Sequence, residues 1–391
     1  MSKKAKLDYR IRLNASIDCI RFLLHQGLAF RGHDESVESE NQGNFMELLK
    51  FLSNHNDDIK KVVLENAPKN HQMMAFNIQR ELTSVCAHLT TKKIIAEIVR
   101  DKQSFSLLVD ESRDVAVKEQ MAIIFRYVDK IGCVIERFIR VVNVKNTSAK
   151  FLKIAIDAFF VKHGLSLTSL RGQGYDGASN MRAASCKRRD LLLDKQYENV
   201  ISLISNGDLH MRRVLNNIQE ELNNRFDEVN MRLLQCMSSL DPSNSFVAFN
   251  KDRLLEFAKF YPANFPQHDI WLLDDQLENY YEDVSTNANF THVEGIANLA
   301  KKMVEFKKDV AYNKVFLLIK LAWVLPVATA TVERVFSAMN LVKNSLHNQM
   351  GDDWMNNCLV FYTENEVFAT IENEDIIEHF QNISKQKIVL N

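Results

Sequence analysis

Ser104-Phe-Ser-Leu-Leu-Val-Asp110, Gln120-Met-Ala-Ile-Ile-Phe-Arg-Tyr-Val-Asp129 and Val134-Ile-Glu-Arg-Phe-Ile-Arg-Val-Val142 are three short apolar runs in close succession. They are rich in Val, Ile and Phe, which pack well on a pleated surface, and too short for helices of ordinary length. The third follows the second through Asp129-Lys-Ile-Gly132, a hairpin turn. Residues 147–163 then change period, with Phe151, Ile154, Ala155, Ala158 and Phe159 on one side of a helix and Gly164 where a C-terminal stop belongs. Leu170-Arg-Gly-Gln-Gly-Tyr-Asp176 reads as a fourth strand entering a Gly-rich turn.

Three antiparallel strands, a helix and a fourth strand make the opening of an RNase H-like core. Around it the texture is helical. Tyr9 to Phe30 carries Ile11, Ile17, Ile20, Leu23 and Leu24 at helical spacing, and Phe45–Leu52 repeats the pattern beyond a loop bounded by Gly32 and Gly43. Met73 to Lys102 reads as one long amphipathic segment or two helices. From Leu191 the chain is helical to its end, with Leu209–Ser239, Ser245–Phe260, Ile296–Asp309 and Asn313–Leu325 as the clearest stretches. Val315–Leu325 is the most apolar of these. It is short and broken by Lys320, so it predicts a buried helix and no membrane span. Pro326 stops it, and Thr329–Asn344 restarts with Thr329 or Thr331 as N-cap. Trp354–Phe368 and Asn373–Ser384 follow. The expected fold is therefore α+β, mostly α: a truncated RNase H-like core between helical regions. The expected divisions are an N-terminal helical region over 1–102, a partial core over 103–190, a helical remnant over 191–240 and a C-terminal helical region over 241–391.

Composition agrees with a globular protein: 46% apolar, 25% charged, and only 5 Pro and 11 Gly in 391 residues, which excludes Pro/Gly-rich linkers. A formal charge of -1 excludes a chain that binds nucleic acid through bulk positive charge. Local basic clusters, Lys3–Arg12 and Arg182–Arg189, predict weak DNA contact that depends strongly on salt and reads no bases. The basic start, Met1-Ser-Lys-Lys-Ala-Lys6, has no apolar run behind it and predicts no signal peptide. Cys19, Cys86, Cys133, Cys186, Cys236 and Cys358 show no CxxC pair, so reduced thiols and no zinc site are expected.

Asp110 and Asp176 fall at the ends of the first and fourth strands, and adjacent strand ends can bring two carboxylates together. With a third from a later helix they would cage Mg²⁺ or Mn²⁺, hard cations that activate water and stabilise a leaving oxygen in phosphodiester cleavage. Taken singly, an aspartate after a strand is far more often a turn residue or a helix cap.

Leu325-Pro-Val-Ala-Thr-Ala-Thr-Val-Glu-Arg-Val-Phe-Ser-Ala-Met-Asn-Leu-Val-Lys-Asn344 and Met350-Gly-Asp-Asp-Trp-Met-Asn-Asn-Cys-Leu359 closely resemble the C-terminal signature of hAT superfamily transposases. Val109-Asp-Glu-Ser112 and Gly174-Tyr-Asp-Gly-Ala-Ser-Asn-Met181 are similar to that family's two acidic motifs. The similarity extends over most of residues 8–385, especially to a subgroup, zinc-finger MYM-type proteins among them, whose longer members begin with a TTF-type zinc finger. The resemblance implies that Asp110, Asp176 and Glu333 descend from the metal-binding, catalytic carboxylates. It also implies nuclear residence and self-association, or association with related hAT proteins, through a C-terminal dimerisation region at about 310–385. Phe316, Leu317, Ile319, Leu321, Trp323, Val324, Phe336, Met339, Leu359, Val360 and Phe361 predict more apolar surface there than a short helical hairpin covers.

The sequence departs from the family pattern in three places. The zinc finger is absent from these residues. Asn180-Met-Arg182 runs into Ala183-Ala-Ser-Cys-Lys-Arg-Arg-Asp190 without the Cys-x-x-His segment. Near Asn206-Gly-Asp-Leu-His-Met211 much of the family's helical insertion is missing. These gaps predict a transposase-derived protein that dimerises and does not cut DNA. The competing expectation is an active metal-dependent transposase or nuclease acting on element ends.

Overall fold

The computed structural model describes residues 2–36, 38–69, 72–100, 103–114, 118–144, 149–175, 228–325, 330–343 and 350–383. Apart from single helical turns, the elements before and within the sheet are α1 (Lys3–His25), α2 (Asn44–His55), α3 (Phe76–Val99), β1 (Phe105–Arg113), β2 (Glu119–Val128), β3 (Val134–Asn143), α4 (Ala149–His163) and β4 (Leu170–Tyr175). After them come α5 (Glu228–Ser238), α6 (Lys251–Lys259), α7 (Gln267–Thr286), α8 (Gly295–Glu305), α9 (Asn313–Val324), α10 (Ala330–Val342), α11 (Asp352–Thr363) and α12 (Asn373–Ile383).

The fold class is the expected one, α+β with helices predominating. In the sheet, in the order β3-β2-β1-β4, β1 and β2 pair antiparallel, β2 and β3 antiparallel, and β1 and β4 parallel. The parallel pair requires a crossover, which α4 supplies. Gly164 ends α4 at φ 63°, in the left-handed region that glycine occupies without steric penalty.

Several boundaries differ from expectation. Gly27, also left-handed at φ 64°, closes α1 after His25, so Phe30 lies outside that helix. Residues 76–99 form one helix. β1 continues to Arg113, so Asp110 sits within the strand and not at its end. Thr331 lies inside α10, and its hydroxyl donates to Glu136 on β3 instead of capping the helix; Thr329 is outside the described residues. Helix α7, twenty residues long, was not singled out by its sequence. Its buried stripe of Leu273, Leu277, Tyr280 and Val284 has helical spacing, but acidic residues between these positions dilute it.

Alternation along the strands divides two cores. Leu108, Ala122, Ile124, Phe138 and Val141 face α1, α2, α3 and the later helices α10, α11 and α12. Phe105, Leu107, Val109, Ile123 and Phe125 face the end of α3 and, in α4, Phe159 and Phe160. A third core joins α5 to α9 around Leu254, Phe257, Leu277, Phe290 and Leu318. Helix α9 is buried as expected and rests against β2, where Arg126 Nε donates to the Trp323 carbonyl at 2.9 Å.

The apolar residues expected to be surplus are largely covered within the chain. Ile319, Leu321, Leu359, Val360 and Phe361 are all at most 1% exposed. They pack on the N-terminal helices, on the sheet, or among α5–α9.

Candidate functional site

Asp110 lies on β1 opposite Ala122, and alternation gives it the same sheet face as Leu108. It is buried, and one carboxylate oxygen accepts the Glu111 backbone N–H at 2.7 Å. In the parallel neighbour, β4 ends at Tyr175 opposite Val109. Asp176, the next residue, lies outside the described residues, as does Cys186.

Glu333 is exposed in the first turn of α10, where a carboxylate is favoured by the helix dipole. Helix α10 packs on β1 and β2 from the face that carries Asp110. Both ends of this helix are tied to the sheet. At the start, the Thr331 hydroxyl bonds to Glu136, which also pairs with Arg126. Just beyond its end, Lys343 Nζ meets Asp114 Oδ2 at 2.7 Å, with side-chain exposures of only 1% and 0%. Asp114 follows the last residue of β1 and also accepts from the Lys118 N–H at 3.0 Å and from Gln120 Nε2 at 3.1 Å. Burial pushes the Asp114 carboxyl up, but the hydrogen bonds from Lys343, the Lys118 N–H and Gln120 together outweigh it. They hold the carboxyl below the usual range.

The outer edge of the sheet is covered in a related way. β3 is an edge strand, with a register shift against β2 near Ile123 and Ile124. The Phe138 N–H donates to Glu364 Oε1 at 2.6 Å, and the Val141 N–H donates to Asn356 Oδ1 at 2.8 Å. Two side chains from α11 and its end thus take up main-chain donors that a bare edge leaves for another strand. Burial pushes the Glu364 carboxyl up to about 7, against the opposing pull of the Arg137 guanidinium and the Phe138 N–H.

Sequence reasoning missed Asp114, Lys343, Asn356 and Glu364. One signal was available: Lys343 continues the apolar series Val332, Val335, Phe336 and Met339 on one helix face, where a lysine needs a buried partner. No local pattern marks Asn356 or Glu364, because their partners are 215 and 226 positions away.

Asp110 and Glu333 supply carboxylate oxygens, the donor class that suits Mg²⁺ and Mn²⁺. Among the described residues no three His, Cys, Asp or Glu side chains converge, and the expected third ligand, Asp176, falls outside that set. No helix among the described residues is long and apolar enough to cross a membrane.

The DUF4371 family, described as the ZMYM1/FAM200 RNase-like domain, matches residues 1–185. Curated relatives include the human 52 kDa repressor of the inhibitor of the protein kinase, 25% identical over 215 residues. The mouse protein of the same name is 24% identical over 214 residues. Each alignment covers 54% of this chain and 28% of the relative, so the chain spans little more than a quarter of the length of these curated relatives. The match takes in α1 to β4, including the strand that carries Asp110. Residues 1–185, a little under half of the chain, thus resemble the RNase-like domain of the DUF4371 (ZMYM1/FAM200) family, which is linked to the hAT transposase superfamily.

Proposed function

We propose that this transposase-derived chain works in the nucleus by assembling with copies of itself or with related chains, and that it does not cut DNA. The observation that carries the assembly reading is Trp271 on α7, 67% exposed beside the partly exposed Leu272. On the same helix Tyr281 stacks on Phe249 at 4.6 Å, next to the exposed Val247. Trp and Tyr are enriched among the residues that carry binding energy at interfaces. Most of the apolar residues expected to supply the contact between about 310 and 385 are internal, and this reading assigns it to α7 instead. Sedimentation of the full chain tests this. A dimer is expected at tens of micromolar, on the order of ordinary weak association, and a monomer for Trp271→Asp. A native chain that stays monomeric overturns the proposal.

The absence of cleavage is supported by the sequence between the second acidic motif and the Glu333 helix. There Cys186 is followed by Lys187-Arg-Arg189, and not by the Cys-x-x-His pattern of longer relatives. Active-site groups must be held to about 0.5 Å, a tolerance that supporting segments provide. One observation favours the second reading, an active metal-dependent nuclease: α10, the helix that carries Glu333, is tied at both ends and packs on the sheet face of Asp110. With Mg²⁺ or Mn²⁺ and DNA bearing the terminal repeats of a related element, no product is expected. Cleavage that disappears in Asp110→Ala and Glu333→Ala establishes the second reading instead.

A further inference from the structure

Helix α12 is held to the body of the protein differently at its two ends. At its start, Asn373 accepts from Arg21 Nε at 2.8 Å and donates to Asp18 at 2.9 Å and to Asn14 at 3.1 Å, all on α1. The neighbouring Glu374 pairs with Arg10. Further along, the helix rests on α3 through Phe380 and one polar contact of an unusual kind. The imidazole of His379 stacks on that of His88, with ring centroids 4.9 Å apart and planes 15° from parallel. The two rings line a cleft with Glu81, Ser84, Val85, Phe380 and Ile383.

Two neutral imidazoles stack favourably, whereas two imidazolium ions at this separation repel. The surroundings strengthen the contrast. Lys92 on α3 and Lys162 on α4 act on His88, and Lys162 and Arg140 act on the neighbouring His163. Asp353 acts on Arg140, Glu81 is the acid in the cleft lining, and Glu378 beside His379 is exposed. Burial first, then His379, Lys92 and Lys162, hold His88 below the usual imidazole range. His163 is lowered further, to about 4, by burial and then by Lys162, Arg140 and His88.

We propose that the His88–His379 stack is a proton-sensitive latch, which keeps the distal half of α12 on α3 at neutral pH and releases it on acidification. The sign follows from linkage. A histidine whose folded pKa lies below its unfolded value takes up protons on opening. The closed state is therefore favoured above about pH 6.5 and weakens as pH falls through that value. The hydrogen bonds of Asn373 involve no histidine, so the start of α12 stays attached while the end opens. The surface uncovered belongs to Phe380 and Val85.

Hydrogen exchange of the full chain tests the latch, with rates corrected for the intrinsic effect of pH. Conditions of about pH 7.5 and about pH 5.5 bracket the ordinary imidazole value of ~6.5. Amides of residues 379–383 should lose protection by up to about tenfold at the lower pH, the most that one histidine of ordinary value ~6.5 yields between these conditions. Those of β1 and β2 should hold theirs. His379→Phe and His88→Phe keep a ring in place without a proton site; the second should remove the loss, and the first should reduce it, since burial still acts on His88. His379→Gln and His88→Gln serve where a Phe variant does not fold. Equal protection of the native chain at both pH values overturns the proposal. So does a loss that is undiminished in the variants, or one shared by β1 and β2.

Discussion

Lys343→Met lowers folding stability by about 3–5 kcal/mol, the usual cost of removing one partner from a buried ion pair. The large effect comes from what is left behind. Asp114 has a fully buried side chain, and without Lys343 its charge faces the protein interior, where the Lys118 N–H and Gln120 are neutral donors. The methionine fills most of the lysine stem's volume, so lost packing contributes little. Combining it with Asp114→Asn removes the charge while keeping an acceptor for those donors, and this double variant should recover most of the loss. Urea titration of the four proteins measures the coupling. The pH dependence provides a second check. Asp114 titrates below the usual carboxylate range in the folded chain, so the stability from its pair is present above that range and is lost as pH falls through the folded value. The deficit of Lys343→Met against the native protein should therefore shrink on acidification. An undiminished deficit in the double variant, or one independent of pH, would show that the lysine acts through packing alone.

Phe125→Ala should cost about 3–5 kcal/mol, as truncations of buried phenylalanine do. Phe125 is 0% exposed at the centre of an aromatic layer between the sheet and α4. Its ring centroid lies 5.1 Å from Phe105, 6.0 Å from Phe159 and 5.9 Å from Phe160. Removing the ring loses its burial and leaves a cavity that three rigid neighbours cannot fill by rotation. Phe125→Leu, which restores much of the volume, should cost less than about 1.5 kcal/mol. Phe51→Ala, on the 56% exposed side of α2, should stay within about 0.5 kcal/mol. Since a domain is stable by only about 5–15 kcal/mol, the first variant should shift the urea midpoint strongly with little change in slope. A small shift for Phe125→Ala would mean that α4 does not close firmly on the sheet.

The strand order was legible because its signals are local: β-branched and aromatic runs with period two, a Gly132 turn and a Gly164 stop. The acid-bearing helix was legible through a motif, and the structure puts it on the Asp110 face. What could not be read was which surfaces the late helices cover. Leu359, Val360 and Phe361 looked surplus because their partners on α1, α3 and β3 are distant in sequence, and a hydrophobic pattern states that a face is buried without stating against what. Asp114 and Lys343 were missed for the same reason, since neither a charge after a strand nor one at a helix end announces a partner 229 positions away.

The covering of β3 by Asn356 and Glu364 also imposes an order on synthesis. Val141 leaves the ribosome 215 residues before the asparagine that takes up its N–H. At about 5–20 residues per second, the hairpin spends roughly 10–40 s with that edge open. During this interval the strand can pair with any extended segment nearby, including the same strand on the next ribosome of the message. An edge open for that long is exposed to mispairing until α11 docks on it.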